Sequence, residues 1–381
     1  MDISSFVVNP SINVSPYCYS IFRIEPYTTC EYRCVYCFGR WYRQEDLKEG
    51  GKGVILSLKR ILKFLRKGLR SIPFRLSTLV DPFQPREEAM QVSRRVMTLC
   101  LKHEVPIIVN TKSTLLLKRD VMNILRELCG KGLVLVQISL STINPDISSV
   151  LEPNAPPPES RLNAAEKLSD EGIPAVIRLQ PFIPGVTECE AEEIVEQAHY
   201  AGVRQIIVEV LRDEKTNWHL YQKVAYNESI YRDQNIWTSY SPSTKVPSQI
   251  LRPNVEWRRK VYLGIRDLCI KYGVEFSTCK EGFYNYHTAE NCCGMHFLER
   301  GRYILRPTLS EAWEFYKRRG RVPGFSELID NLSEGYLFGE AVKCYPRPLR
   351  KKIMSHEKIL REVLDERRNE LISLLPALSI Q

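Results

Sequence analysis

The chain lacks any stretch approaching the ~20 consecutive apolar residues that cross a bilayer, so no membrane-spanning helix is expected. Its first residues, MDISSFVVNPSINVS, lack the basic start and apolar core of a secretory signal peptide. Without an export signal, the 12 cysteines read as reduced thiols for metal or catalysis, not as a disulfide framework. A cytoplasmic location is therefore expected. There is no low-complexity tract, and no internal repeat apart from a strand–helix period.

What is present suits a globular protein. The 381 residues allow one large core plus a smaller domain, and 44% hydrophobic and 26% charged content are ordinary. Lys and Arg number 54 against 45 Asp and Glu, a net charge of +9. The excess gathers at Lys59–Arg75, Arg300–Arg321 and Arg347–Lys358. This suits either a solvated cationic surface or a polyanion-binding face.

Tyr19–Pro26 reads as a first strand feeding Cys30-Glu-Tyr-Arg-Cys34-Val-Tyr-Cys37. After the loop, Phe38–Tyr42 is aromatic and basic, and Val54–Leu69 has helical spacing. Strands are then expected at Pro73–Thr78, Pro106–Thr111, Leu133–Leu140, Pro174–Gln180 and Arg204–Leu211. The intervening helices are Glu87–Glu104, Arg119–Cys129, Arg161–Glu171 and Glu190–Tyr200. Six mostly apolar strands alternating with helices predict an α/β protein whose parallel sheet is buried on both faces, open or barrel-shaped. Asp213–Arg252 reads as an irregular insertion or lid. Asn254–Tyr272 returns to helix, Val274–Ser277 reads as a seventh strand, and Pro307–Arg319 and Ser355–Leu375 read as helices. The expected division is a core over 1–250 and a C-terminal extension over 251–381.

The C-x3-C-x2-C loop is the strongest chemical signal. Three close thiolates can hold one ion or cluster, and no neighbour offers an obvious fourth ligand. Zinc would want four ligands in tetrahedral geometry, with Cys18 the only other upstream candidate. A [4Fe–4S] cube held by three cysteines keeps one iron open to a small molecule, which is a catalytic arrangement. Polar groups stand where successive strands end: Ser77 and Thr78, Lys112, Ser139 and Ser141, Arg178 and Gln180. Lys112, straight after a buried strand, can neutralise a carboxylate as a point charge.

The loop, with Tyr36 before its last cysteine, resembles the signature of radical S-adenosylmethionine (SAM) enzymes. Together with Ser77-Thr78-Leu79-Val80-Asp81-Pro82-Phe83-Gln84-Pro85, Thr111-Lys112-Ser113, Ser139–Thr142, Leu151-Glu152-Pro153 and Pro181–Gly185, it looks like their spore photoproduct lyase-like branch. The resemblance implies a partial (β/α)6 TIM-type barrel with a C-terminal extension, a [4Fe–4S] cluster on Cys30, Cys34 and Cys37, and reductive cleavage of SAM to a 5′-deoxyadenosyl radical. It also implies SAM contacts from Ser77, Lys112 and Ser139, with the Tyr36 backbone near the adenine; Arg178 is a further candidate. The lyases proper are expected to carry a hydrogen-donating cysteine near that serine, where this chain has Leu76, so thymine-dimer repair is not carried over.

Cys279, Cys292 and Cys293, with His287 and His296 nearby, could form a second metal site or auxiliary cluster, supply a hydrogen-atom donor, or be buried thiols. Cys18, Cys100, Cys129, Cys189 and Cys269 read as structural. The expected substrate is large, with a nucleic-acid base favoured by the net charge and by aromatics in Phe38–Tyr42 and Trp218–Tyr240. A peptide or small metabolite is the competing class, and a zinc-stabilised nucleic-acid-binding protein the non-enzymatic alternative. A reductant such as ferredoxin or flavodoxin would be the protein partner.

Overall fold

A computed structural model of the protein describes residues 14–41, 51–65, 68–240 and 249–379. Tyr42 of the aromatic run and part of the expected lid lie outside them. Seven parallel strands form one sheet. They are β1 (Phe22–Ile24), β2 (Phe74–Leu76), β3 (Ile107–Thr111), β4 (Val134–Leu140), β5 (Ala175–Phe182), β6 (Gln205–Val210) and β10 (Glu275–Thr278), and they lie side by side in that order. The helices α1 (Gly51–Leu65), α2 (Val92–His103), α3 (Arg119–Gly130), α4 (Pro158–Asp170), α5 (Ala191–Tyr200) and α6 (Val255–Tyr272) fall between strands. β1 and β10 are the two edges, so the barrel is partial and open between them.

The strands sort their side chains by twos. On β4, Val134, Val136, Ile138 and Leu140 enter the outer core, whereas Leu135 and Gln137 point inwards. The interior has two tiers. Ile108, Leu135, Val176 and Ile207 form an apolar floor with Cys279, Cys292, Cys293 and Met295. Above it sit Arg75, Gln137, Arg178 and Glu209, all buried.

Three expectations change. The helix expected over Glu87–Glu104 is broken at Gln91, which has φ 53°. The buried Glu87 carboxylate accepts the Ser93 and Arg94 amides at 3.0 Å each, and so starts a new helix there. The segment expected to be irregular, Asp213–Arg252, holds regular structure among its described residues. It carries the antiparallel strands β7 (Asp213–Glu214), β8 (Trp237–Ser239) and β9 (Ile250–Pro253) in the order β7-β9-β8. Finally, α6 and β10 belong to the barrel, so the sheet continues past the boundary expected at 250.

The extension builds a second core from α7 (Leu309–Arg319), α8 (Phe325–Asp330) and α9 (Arg347–Arg361), through Leu309, Trp313, Phe325, Leu328 and Leu360. Thr308 and Glu311 form a capping box that starts α7. The helix expected over Ser355–Leu375 begins at Arg347, where Pro348 at its second position needs no amide partner, and its α-helical part ends at Arg361. Arg306 fastens the extension to the chain before β1, donating to the carbonyls of Cys18 at 2.8 Å and of Ser15 and His356 at 3.3 Å.

Arg306→Met takes the buried guanidinium away from those three carbonyls. We expect it to lower unfolding free energy in urea by about 2–4 kcal/mol. A change below about 0.5 kcal/mol would show that the anchor is elsewhere.

Candidate active site

The cysteine loop leaves the end of β1 and is clamped from two sides. The buried Gln84 side chain accepts the Glu31 amide at 2.8 Å and donates to the Thr29 carbonyl at 2.9 Å. From the other side, the Val35 amide donates to the Leu151 carbonyl and Asn154 donates to the Glu31 carbonyl, both at 2.9 Å. Cys30, Cys34 and Cys37 are half-buried and form no disulfide. The Asp81 amide approaches the Cys30 Sγ at 3.5 Å. Burial pushes the Cys34 thiol up, Lys112 opposes this, and Cys37 and Cys30 are close enough to add to the rise.

Three buried carboxylates tie the loop to the strand ends. Glu25, just after β1, takes the Thr78 amide at 2.9 Å, the Thr78 hydroxyl at 3.0 Å and the Ser77 hydroxyl. These bonds hold Ser77 at φ 63°, a left-handed conformation that a non-glycine residue adopts only under constraint. Asp81 takes the Thr111 hydroxyl at 2.7 Å and the Lys112 amide at 2.6 Å, fixing the end of β3. Burial raises both acids, and these hydrogen bonds oppose the rise.

Glu152 is the third. It pairs with Arg161, accepts the Tyr36 hydroxyl, and lies 3.1 Å from the Lys112 Nζ. Ser148 approaches its second oxygen at 3.4 Å, and Ser141 donates to the Tyr36 hydroxyl at 3.2 Å. The Lys112 ammonium also lies 5.5 Å from the Tyr36 ring centroid. Burial lowers Lys112 to about 8, and Arg161 deepens the fall. The structure thus brings Tyr36 and Lys112 together beside the cysteine loop, with Ser77 on the neighbouring strand end. Ser139 is half-buried, and its carbonyl accepts from Arg161 at 3.3 Å.

Arg178 has different company. It donates to Gln137 at 3.0 Å, contacts Gln180, and reaches the Cys279 Sγ at 3.7 Å. Arg75 shares the same Gln137 oxygen at 2.6 Å. At the β6–β10 side of the mouth, Glu281 binds Arg212 at 2.9 Å, Arg252 at 3.6 Å and Arg258 more closely. Arg212 also pairs with Glu209 and donates to the Tyr240 hydroxyl at 2.8 Å. Sequence reasoning missed this arginine group, and also Glu25, Asp81 and Glu152 as organisers.

Cys279, Cys292 and Cys293 do come together in the apolar floor, with the last two sulfurs 3.9 Å apart. Burial pushes the Cys279 thiol up. Among the described residues, no group of three His, Cys, Asp or Glu side chains could hold a single metal ion. Of the cysteines read as structural, Cys18, Cys100 and Cys269 are buried, Cys129 is half-buried and Cys189 is exposed.

Most aromatics of Trp218–Tyr240 are turned inwards. Trp218 lies against Tyr231 and Trp237, and Tyr221 stacks on Tyr231. Two of the basic runs also meet at the far end of the barrel, where the Tyr345 hydroxyl beside one reaches the Arg70 carbonyl of the other just before β2. Arg75 and Arg306, members of such runs, are buried.

Residues 24–198 match the family model of the Radical SAM superfamily. Among curated proteins, the chain is 26% identical over 159 residues to an uncharacterized protein of Acidianus two-tailed virus, covering 40% of this chain and 50% of that one. It is 24% identical over 209 residues to an uncharacterized protein of Mycobacterium tuberculosis, covering 52% and 60%. The chain therefore spans about half to three-fifths of these relatives' length. Among solved structures, a spore photoproduct lyase variant with bound AdoMet and dinucleoside spore photoproduct aligns at TM-score 0.52 and 11% identity. The alignment covers 68% of this chain and 76% of that one, and shows a shared fold.

Glu152→Gln leaves Arg161 and Lys112 buried without their counter-charge, and should cost about 3–5 kcal/mol in urea unfolding. Adding Lys112→Met should recover part of the loss. No recovery would mean that the two side chains are not coupled.

Proposed function

We propose that this chain, an enzyme of the radical SAM superfamily, holds a [4Fe–4S] cluster on Cys30, Cys34 and Cys37 and binds SAM at the mouth of its open barrel. Lys112 carries the reading. It is a buried ammonium beside the cysteine loop, ion-paired with Glu152 yet, among the described residues, without a hydrogen bond for its Nζ. Such a group is ready for an incoming carboxylate.

The residues fit the cofactor. Three thiols outside any disulfide stand within one another's field on a loop clamped by Gln84, and a cluster engages each through a separate iron where a single ion would need all three at once. When bound, the cluster supplies the electron that cleaves SAM to methionine and a 5′-deoxyadenosyl radical, which takes hydrogen from the substrate. The chain's own part is positioning. Lys112 would offer charge to the SAM carboxylate, Ser77 and Ser139 would offer strand-end polar groups, and the Tyr36 backbone would lie near the adenine. Glu152 fixes Tyr36 and Lys112 relative to each other. The Arg40–Asp213 ion pair ties the segment after Cys37 to β7. Arg178, grouped with Gln137 and Cys279, we assign to the substrate side.

The favoured substrate is a nucleic-acid base. The net charge of +9 supports it, as does the partly exposed Phe38–Trp41 turn beside the cysteines. The inward-facing aromatics of Trp218–Trp237 lend no support, and neither does the basic patch at the far end. A ferredoxin- or flavodoxin-type reductant completes the reaction.

After anaerobic reconstitution, wild type should bind iron and sulfide and form 5′-deoxyadenosine from SAM under reduction. The Cys30→Ala/Cys34→Ala/Cys37→Ala variant should do neither, and cleavage by that variant would sink the proposal. For the substrate, affinity for a single-stranded oligonucleotide should fall steeply between 50 and 200 mM salt, by about tenfold or more for several phosphate contacts. Affinity indifferent to salt would count against nucleic acid.

A further inference from the structure

Buried charges normally find counter-charges, because leaving a guanidinium without one costs several kcal/mol. Arg75 and Arg178 form no ion pair inside the barrel among the described residues, at 4% and 6% exposure, although the Glu209 carboxylate acts on Arg178 through space. Arg75 donates to Ser20, Asn110 and Gln137, and Arg178 donates to Gln137, Gln180 and Cys279. None of these is a carboxylate. One neutral amide oxygen, that of Gln137, serves both cations.

The imbalance extends across the mouth. Arg212, Arg252 and Arg258 share the single carboxylate of Glu281, and Glu209 is the other acid on this side. Among the described residues, five guanidiniums thus face two carboxylates. The Nε atoms of Arg212 and Arg252 are buried without a hydrogen-bond partner among the described residues, so donor capacity is left over. Rigidity is already supplied: Tyr240 lies 4.3 Å from the Arg212 guanidinium and 5.2 Å from that of Arg252. Arg258, 3% exposed, anchors Glu281 from behind.

We propose that this side of the barrel binds a phosphate group of the substrate, between Arg178 on β5 and the Arg212–Arg252 pair. The proposal rests on the reading above only in placing the substrate at the mouth. A carboxylate would cancel one of the surplus charges. A phosphate can cancel two and presents more oxygens to guanidinium forks. Arg178 lies on β5, Arg212 just after β6, Arg252 on β9 and Arg258 on α6, all away from the cysteine loop after β1, so a nucleotide gripped here would present its sugar and base towards the cofactor.

The test uses reconstituted holoenzyme titrated with inorganic phosphate, a nucleoside 5′-monophosphate and acetate at fixed ionic strength. Saturable binding of both phosphates, at least about tenfold tighter than acetate, is expected. Arg178→Gln and Arg212→Gln should each weaken it by about tenfold or more, and Arg178→Lys should retain part. Arg300→Gln, an exposed control, should leave it unchanged. Absence of saturable phosphate binding, or acetate binding equally well, would overturn the proposal, and the wild-type comparison stands even if a variant does not fold. SAM cleavage is followed in the same preparation. Phosphate binding without cleavage faults the cofactor reading alone, and cleavage without phosphate binding faults this proposal alone.

Discussion

The candidate site depends on one buried carboxylate. Glu152 joins three pieces of chain that share no local geometry: Tyr36 in the cysteine loop, Lys112 after β3, and Arg161 on α4. Taking one carboxylate and two cations out of water is expensive, and only mutual neutralisation with close hydrogen bonds makes it tolerable. The cost of loosening any member is what holds the loop against the strand ends. Glu25 and Asp81 repeat the device on β2 and β3, using backbone amides in place of cations.

The barrel interior divides its labour by height. Its floor is apolar and closed by Met295 and the three later cysteines, which buries enough surface to keep the strands in register. Its roof is polar and charged. Acids near β1, β2 and β3 are matched by amides, hydroxyls and Lys112, while arginines near β5, β6 and β10 outnumber their acids. A wall beside the cysteine loop and a cationic wall follow from the same fold, because alternate residues of each strand must point inwards.

Much of this was legible in the sequence, and what was not has a common cause. Continuous apolar runs such as Leu133–Leu140, and Gly172 and Gly273 at helix ends, place the strands and helices, because these signals act within a few residues. The cysteine spacing and Lys112 were readable for the same reason. Glu25, Asp81, Glu152 and Glu281 were not, since each finds its partners on a separate element far along the chain, as Glu25 does with Ser77, 52 positions away on the neighbouring strand end. Gln91 was missed because Glu87, buried by Tyr27, starts a helix where propensity alone would continue one. Charge runs misled in the opposite sense, because composition cannot distinguish a solvated arginine from Arg75 or Arg306 inside the protein.

The central claim is that three thiols on a clamped loop present an open iron to SAM. Electron paramagnetic resonance of the reconstituted, reduced protein tests it most directly. A [4Fe–4S]+ signal that changes shape when SAM is added is the predicted result. A protein that binds zinc in place of iron, or a cluster signal indifferent to SAM, would contradict it.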